Sequence, residues 1–426
     1  MNLAWLLVQG VVPAQDADEA LVRRRAARLS PLPSVPADPT NRFADDGRAA
    51  ELGQRLFFDP RLSSNGEVSC ATCHAPEQNF TDGRPVAEGL GRGTRKAPTL
   101  VNSAYMRWLF WDGRADSLWA QAIEPLENPL EMGGNRLAIA HLVQGDATLR
   151  GAYTELFGPL PPLQESGRFP AHARPVPDEP DHPHQQAWSG MMETDRQAVD
   201  AVLVNLAKSI AAYERLLVRG DAPFDRYVAS LEEADGAEHG FSDAARRGLG
   251  LFVGRADCIS CHAGPNFSDS EFHATGAPPG THGDAEDPGR YAGAERLALS
   301  PWTAAGEHSD ETAGRAARRV SRLRRGSETW GEFRTPSLRN LKGRAPYMHA
   351  GQFPDLESVV RFYSTLDGAV GRSHHQERIL EPLQLTETEI DDLPAFLESL
   401  EGRPLPPPLL VPPPQGRTPT KSGEHQ

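Results

Sequence analysis

Cys70-Ala71-Thr72-Cys73-His74 and Cys258-Ile259-Ser260-Cys261-His262 are the stretches on which the reading of this chain turns. Both are C-x-x-C-H. At that spacing two cysteines form thioethers to the vinyl groups of a c-type haem, and the histidine that follows meets the iron. All 4 cysteines of the chain lie in these motifs, so none is left for a disulfide. A single C-x-x-C also suits a redox dithiol or half a zinc site. Zinc needs four converging ligands, and a thioredoxin-like pair needs no histidine directly after it. Two complete copies favour two covalent haems. Cys70, Cys73 and His74 hold one, and Cys258, Cys261 and His262 hold the other, with His74 and His262 as iron ligands.

Outside the motifs, composition narrows the class. The 426 residues carry a net charge of −14, which argues against a nucleic-acid phosphate binder. Arg23-Arg24-Arg25 and Arg322-Leu323-Arg324-Arg325 read as solvated faces. With 39 glycines, 38 prolines and 38% hydrophobic residues, the chain is rich in loops, and buried cofactors would complete its core. No apolar run reaches the length of a membrane span. Leu3 to Val12 is apolar but lacks the positive flank of a secretory signal. Haem attachment to C-x-x-C-H takes place outside the cytoplasm, so the cofactor implies the periplasm.

Hydrophobic periodicity predicts a mostly α chain without a strand-rich region. Residues 1–40 read as leader and proline-rich linker. A first haem domain spans 41–236 and carries a Pro- and His-rich surface insertion at 159–190. A second spans 237–384 with a polar insertion at 275–330. Residues 385–402 form a C-terminal helix, and the proline-rich 403–426 reads as a disordered tail. Helices are expected after Asp46 (Leu52, Leu56, Phe57), around Gln121 to Pro125, and after Ser242. Another contains Val360, Phe362 and Tyr363, and the last begins at Thr386 with Glu389 as its capping box. The clearest runs from Thr194, boxed by Gln197, to Gly220. The two halves share a motif and otherwise show no repeat.

Trp111, Gln121, Pro125 and Glu131 follow the first motif at intervals of ten, four and six residues. With Arg95-Lys96-Ala97-Pro98-Thr99, Phe333 to Asn340, and Pro346-Tyr347-Met348-His349, they make residues 46 to 400 resemble the bacterial di-haem cytochrome c peroxidase family, including its MauG-type members. The resemblance implies two cytochrome c-like helical domains with long loops, each carrying a covalent haem, and a C-terminal helix packed back on the first. It implies that hydrogen peroxide reacts at the N-terminal haem and that electrons arrive through the C-terminal one. Trp111 would lie between the haems as a relay. Gln121 and Glu131 would line the open face of the first haem. A carboxylate there can take a proton from one peroxide oxygen and return it to the other, and burial near a haem would raise its pKa toward that task. Two alternatives stay open: MauG-like oxidation of residues in a partner protein, and a non-catalytic di-haem electron carrier.

Three departures from the family pattern carry information. Residues 75–140 contain no histidine, so the loop Val86 to Gly93 lacks the residue that closes the first haem in many relatives. Position 363 is Tyr, as in MauG-type proteins, where peroxidases have Met; Tyr363 is the expected sixth ligand of the second iron, with Met348 its rival. Lys96 stands where the family has a calcium-binding Asn. An ammonium cannot ligate calcium, so calcium is doubtful, and Lys96 would take the cation's place against the carbonyls of Arg344 and Pro346. A resting electron paramagnetic resonance spectrum should therefore contain a high-spin signal from the first haem, and Tyr363→Phe should change the signal of the second. A purely low-spin first haem, or an unchanged Tyr363→Phe spectrum, contradicts these assignments.

Overall fold

A computed structural model describes residues 14–231, 240–280, 286–370 and 380–414. In chain order the helices are α1 (Ala14–Ala26), α2 (Gly47–Phe57), α3 (Cys70–Cys73), α4 (Leu118–Glu127), α5 (Arg136–Gly145), α6 (Ala147–Phe157), α7 (Pro183–Gly190), α8 (Glu193–Glu214) and α9 (Pro223–Ser230). They continue as α10 (Asp243–Val253), α11 (Arg290–Leu299), α12 (Arg315–Ser321), α13 (Leu356–Thr365) and α14 (Glu387–Glu398). The strands β1 (Phe272–His273) and β2 (Phe333–Arg334) pair antiparallel, with Phe272 opposite Arg334. The chain is mostly helical, as the periodicity implies.

Each half is built on a helix that leads into a haem motif and crosses a later helix at a glycine. In the first half, Asp46 caps α2 by accepting from the Arg48 N–H, and Leu52, Leu56 and Phe57 turn inward. A Cβ on Gly53 would sit 1.9 Å from the Ser209 carbonyl oxygen of α8. Only glycine permits that approach. In the second half, Ser242 caps α10, and a Cβ on Gly248 would sit 2.0 Å from the Asp392 carbonyl oxygen of α14. Arg247 fastens the same crossing through two hydrogen bonds to the Asp392 carboxylate, of 2.8 and 2.7 Å.

Several expectations change. The C-terminal helix packs on α10 and, through Phe396, edge-on against Phe224 of α9. Thr386 and Glu389 do form its capping box. The segment after it makes the return: Leu405 is buried with Phe57, Phe80, Tyr213 and Leu217 of the first half. The stretch from 403 is therefore packed through 414, and only 415–426 lies outside the described residues. Proline-rich backbone forms no ladder of its own, so its carbonyls are free acceptors. Gln54 Nε2 donates to Pro408 (2.6 Å) and Val411 (2.7 Å), and the Tyr213 hydroxyl to Leu409 (2.6 Å).

Helix α8 starts at Glu193, so Thr194 caps nothing; Gln197 donates instead to Glu193 (3.2 Å), and the helix ends at Glu214, short of Gly220. Neither insertion is a surface appendage. Leu163, Phe169, Ala173 and Trp188 of the first join the main core. The second bridges the halves. Asp287 takes two hydrogen bonds from Arg95 (2.8 and 2.7 Å), and Asp310 and the His308 carbonyl receive Lys208 Nζ (2.7 and 2.8 Å). The Arg290 guanidinium lies 4.1 Å from the Phe272 ring and donates to the Gly113 carbonyl (2.8 Å).

In the second half, Asp225 accepts two hydrogen bonds of 2.8 Å from the fully buried Arg339, plus Ser30 Oγ (2.7 Å). Burial raises the Asp225 pKa, but the hydrogen bonds and charge of Arg339 outweigh it, and the carboxyl sits below the usual range. Such a depressed carboxylate adds stability above its unfolded pKa, and that contribution is lost as pH falls through the folded value. Asp225→Ala strands the Arg339 cation. It should cost about 3–5 kcal/mol in denaturant unfolding at neutral pH. The gap to wild type should narrow as pH falls below about 4.

Candidate functional site

The two C-x-x-C-H motifs fold alike. The His74 N–H bonds back to the Cys70 carbonyl and the His262 N–H to Cys258, each at 2.9 Å. Each ring is then held by its Nδ1 against a backbone carbonyl: Phe80 for His74 (3.2 Å) and Phe267 for His262 (3.0 Å). With Nδ1–H donating, Nε2 is left as the ligand atom, and the ring is oriented by the protein. Both phenylalanines are buried and left-handed, with φ of 57° and 51°, which is uncommon for a non-glycine residue. These two carbonyl acceptors went unnoticed in the sequence. The signal was present: Asn79-Phe80-Thr81-Asp82 and Asn266-Phe267-Ser268-Asp269 follow the motifs in parallel.

Burial pushes the half-buried Cys70 and Cys258 up to about 12 and Cys73 to about 11. A thiol pair followed directly by a carbonyl-pinned histidine fits thioether attachment of haem. Arg344 supports the fit. It is buried, its Nε and one Nη lack a hydrogen-bond partner, and burial pulls it down to about 9. An anionic group such as a haem carboxylate would satisfy it.

The halves repeat beyond the motifs. Asn102 and Asn340, both left-handed, each donate to the Arg219 carbonyl, at 3.0 and 3.2 Å. The bridge Leu109↔Ala115 precedes α4 as Tyr347↔Phe353 precedes α13. Ser117 caps α4 through Ala120 N–H, and Asp355 caps α13 through Ser358 N–H. In this register Pro125 and Tyr363 are the same residue of their helices, and Phe110 answers to Met348, both with positive φ. Tyr363 is half-buried where Cys258 and Cys261 act on it, and desolvation raises its pKa. Its counterpart Pro125 has no donor atom. It also lacks an N–H, which frees the Gln121 carbonyl one turn earlier.

Glu131 follows α4. Its carboxylate accepts from Asn128 Nδ2 (2.7 Å), and its carbonyl holds the loop that contains no histidine through Leu90 N–H (2.9 Å). It lies near enough to act on both Cys70 and Cys73. Burial raises its pKa, as expected of a proton exchanger. Trp111 sits at the seam: its indole N–H donates to Lys96 O (2.9 Å), its carbonyl accepts from Arg334 N–H (2.8 Å), and its ring meets His349 edge-on at 6.4 Å. Lys96 is buried, but its Nζ donates to the Arg84 carbonyl (3.1 Å) and not to Arg344 or Pro346. Its own backbone N–H reaches His349 O (2.8 Å), so this position ties the halves by main chain.

Comparison with known proteins agrees with this geometry. The profile of the di-haem cytochrome c peroxidases matches residues 47–233. The chain is 32% identical to the methylamine utilization protein MauG of Methylorubrum extorquens, over 92% of this chain and 87% of that one. It is 34% identical to the cytochrome-c peroxidase IdrP1 of Denitromonas iodatirespirans, over 87% and 86%. Among solved structures, a MauG-like protein associated with microbial copper homeostasis superposes with a TM-score of 0.62 at 26% identity, covering 90% of this chain and 98% of that one.

The Asn128 hydrogen bond favours the ionised form of Glu131 and so opposes part of the burial effect. Asn128→Ala should raise the Glu131 pKa further. The acidic limb of the pH–rate profile with peroxide should then move to higher pH, and Asn128→Asp should move it further the same way.

Proposed function

The chain belongs to the di-haem cytochrome c peroxidase family, a di-haem oxidoreductase, and from that premise we propose that it reacts with hydrogen peroxide on the Glu131 side of the first haem. The observation that carries this is Glu131 itself: a half-buried carboxyl whose pKa desolvation raises, near enough to act on Cys70 and Cys73, and held by Asn128. When bound, a ferric haem supplies a Lewis-acid iron and a store of oxidising equivalents. The chain supplies the proton chemistry. Glu131 takes the proton from one peroxide oxygen and delivers it to the departing one. Pro125 and the histidine-free loop place no ligand over that face. Gln121 lines it.

Trp111 is the proposed electron relay, supported by its place between Lys96 of the first half and Arg334 of the second. Tyr363 is the proposed sixth ligand of the second haem, supported by its burial beside Cys258 and Cys261 and by its register with Pro125. Both haems are proposed to be covalent, and covalent attachment to C-x-x-C-H supports a periplasmic location. Among the described residues no helix is long and apolar enough to cross a membrane. Calcium is not proposed, because Lys96 occupies that position.

A second reading is favoured by Tyr363 and by the relatives named MauG: the oxidising equivalents go to residues of a partner protein and not to a small donor. Steady-state peroxidase assays with small cytochromes separate the two. The relatives named as peroxidases stand against a non-catalytic electron carrier.

Glu131→Gln keeps the shape and the hydrogen bond to Asn128 but removes the exchangeable proton. It should slow the second-order reaction with hydrogen peroxide by about 10²- to 10⁴-fold. Haem content and the unfolding midpoint should match wild type. An undiminished rate removes Glu131 from this role.

A further inference from the structure

Between α4 and the second insertion lies a cleft of about 520 Å³. Its inner wall is α4, with Ile123, Glu124 and Asn128; its outer wall comes from the insertion, with Arg296, Ser300 and Trp302. The size is in the range that admits small molecules. Asn128 lines the cleft and also donates to the Glu131 carboxylate at 2.7 Å, so it stands between the two. The charged groups that act on Glu131 are Arg114, Glu124 and Arg296. All three belong to the cleft wall.

Those groups form a chain across the mouth. Arg114 Nε reaches both oxygens of Glu124, at 2.9 and 3.0 Å, with its guanidinium 3.5 Å from the Phe110 ring. Arg296 closes on the same carboxylate from the insertion. The Arg296 side chain is 56% exposed. A pair so exposed is held weakly and opens at little cost. Arg114, packed on an aromatic ring and less exposed, stays in place.

We propose that this cleft is the entrance by which small solutes reach the Glu131 side of the first haem site, with Asn128 at its inner end and Arg296 as its gate. The proposal rests on the reading that this side meets peroxide. It gives the second insertion a role: its outer wall sets the size of what enters. Hydrogen peroxide passes; a hydroperoxide with a bulky organic group is slowed at the gap between Ser300 and α4.

An entrance differs from a binding contact in its kinetics. Narrowing it slows entry and exit equally and leaves the equilibrium untouched. The test mixes cyanide with the ferric holoprotein in a stopped-flow instrument and follows the haem absorption, for wild type, Ser300→Trp and Arg296→Ala. Ser300→Trp should lower the association and dissociation rates together by about tenfold, with Kd unchanged. Arg296→Ala should raise both. Arg296 is exposed, so this variant remains informative if Ser300→Trp does not fold. Association rates within about twofold of wild type in both variants overturn the entrance, as does a Kd that changes without paired rates. A wild-type protein whose first haem takes no cyanide at all overturns the peroxide reading as well, which keeps the two failures distinct.

Discussion

Two backbone-to-backbone contacts set the geometry of everything else: Gly53 of α2 against Ser209 of α8, and Gly248 of α10 against Asp392 of α14. A side chain at either glycine would push the helices apart by the width of a methyl group or more. The helices so placed precede the haem motifs in the chain, α2 ending at Phe57 ahead of the Cys70–Cys73 turn and α10 at Val253 ahead of its counterpart. The Phe80 and Phe267 carbonyls then orient the imidazoles. Interior packing is stiff, so a displacement at either glycine crossing is passed on to the elements packed against it.

How much of this was legible follows from range. The start of α2 after Asp46, the α14 capping box and the α13 helix are local patterns, and the structure has them where the sequence suggests. What depended on distant partners did not. Residues 403–414 look like a tail because proline-rich backbone has no pattern of its own. Their order comes from Gln54 and Tyr213, which lie far away in the chain. The insertion at 275–330 looks aperiodic because its helices are short and it is fastened by ion pairs, such as Arg95–Asp287, and not by an apolar stripe. The repeat escaped for a related reason. Backbone features are retained at matching positions, the positive φ of Asn102 and Asn340 among them, while the side chains around them have changed. Of the candidate site, Glu131 and Tyr363 were singled out by the family resemblance, but Asn128 was not, since an amide three residues before a carboxylate has many ordinary explanations.

The seam between the halves is built with buried charge. Arg95 is satisfied on both sides, by Asp112 at 2.6 Å and by Asp287. Lys96 beside it has only a carbonyl, and Arg344 has orphaned donors. Burial lowers both cations. Positive charge left short of partners between two haem-binding halves is costly for the protein alone. It suits a molecule completed by anionic groups. Trp111 lies in the same layer and is fixed by its own N–H to Lys96, so the proposed relay and the charge share one piece of backbone.

Burial acts on the two open faces with opposite consequences. On the first, the eighth residue of α4 is Pro125, which offers nothing to a metal, and the acid nearby is Glu131. Burial brings its pKa up toward the range where a proton is both taken and released readily. On the second, the eighth residue of α13 is Tyr363, and burial makes its phenol harder to ionise. A hydrogen bond with Thr275 offsets part of that penalty, and a cation facing the oxygen would offset more. On the proposed reading, a shared backbone with Pro125 in one helix and Tyr363 at the same position of the other would separate a face that exchanges protons from a face that holds an oxygen donor.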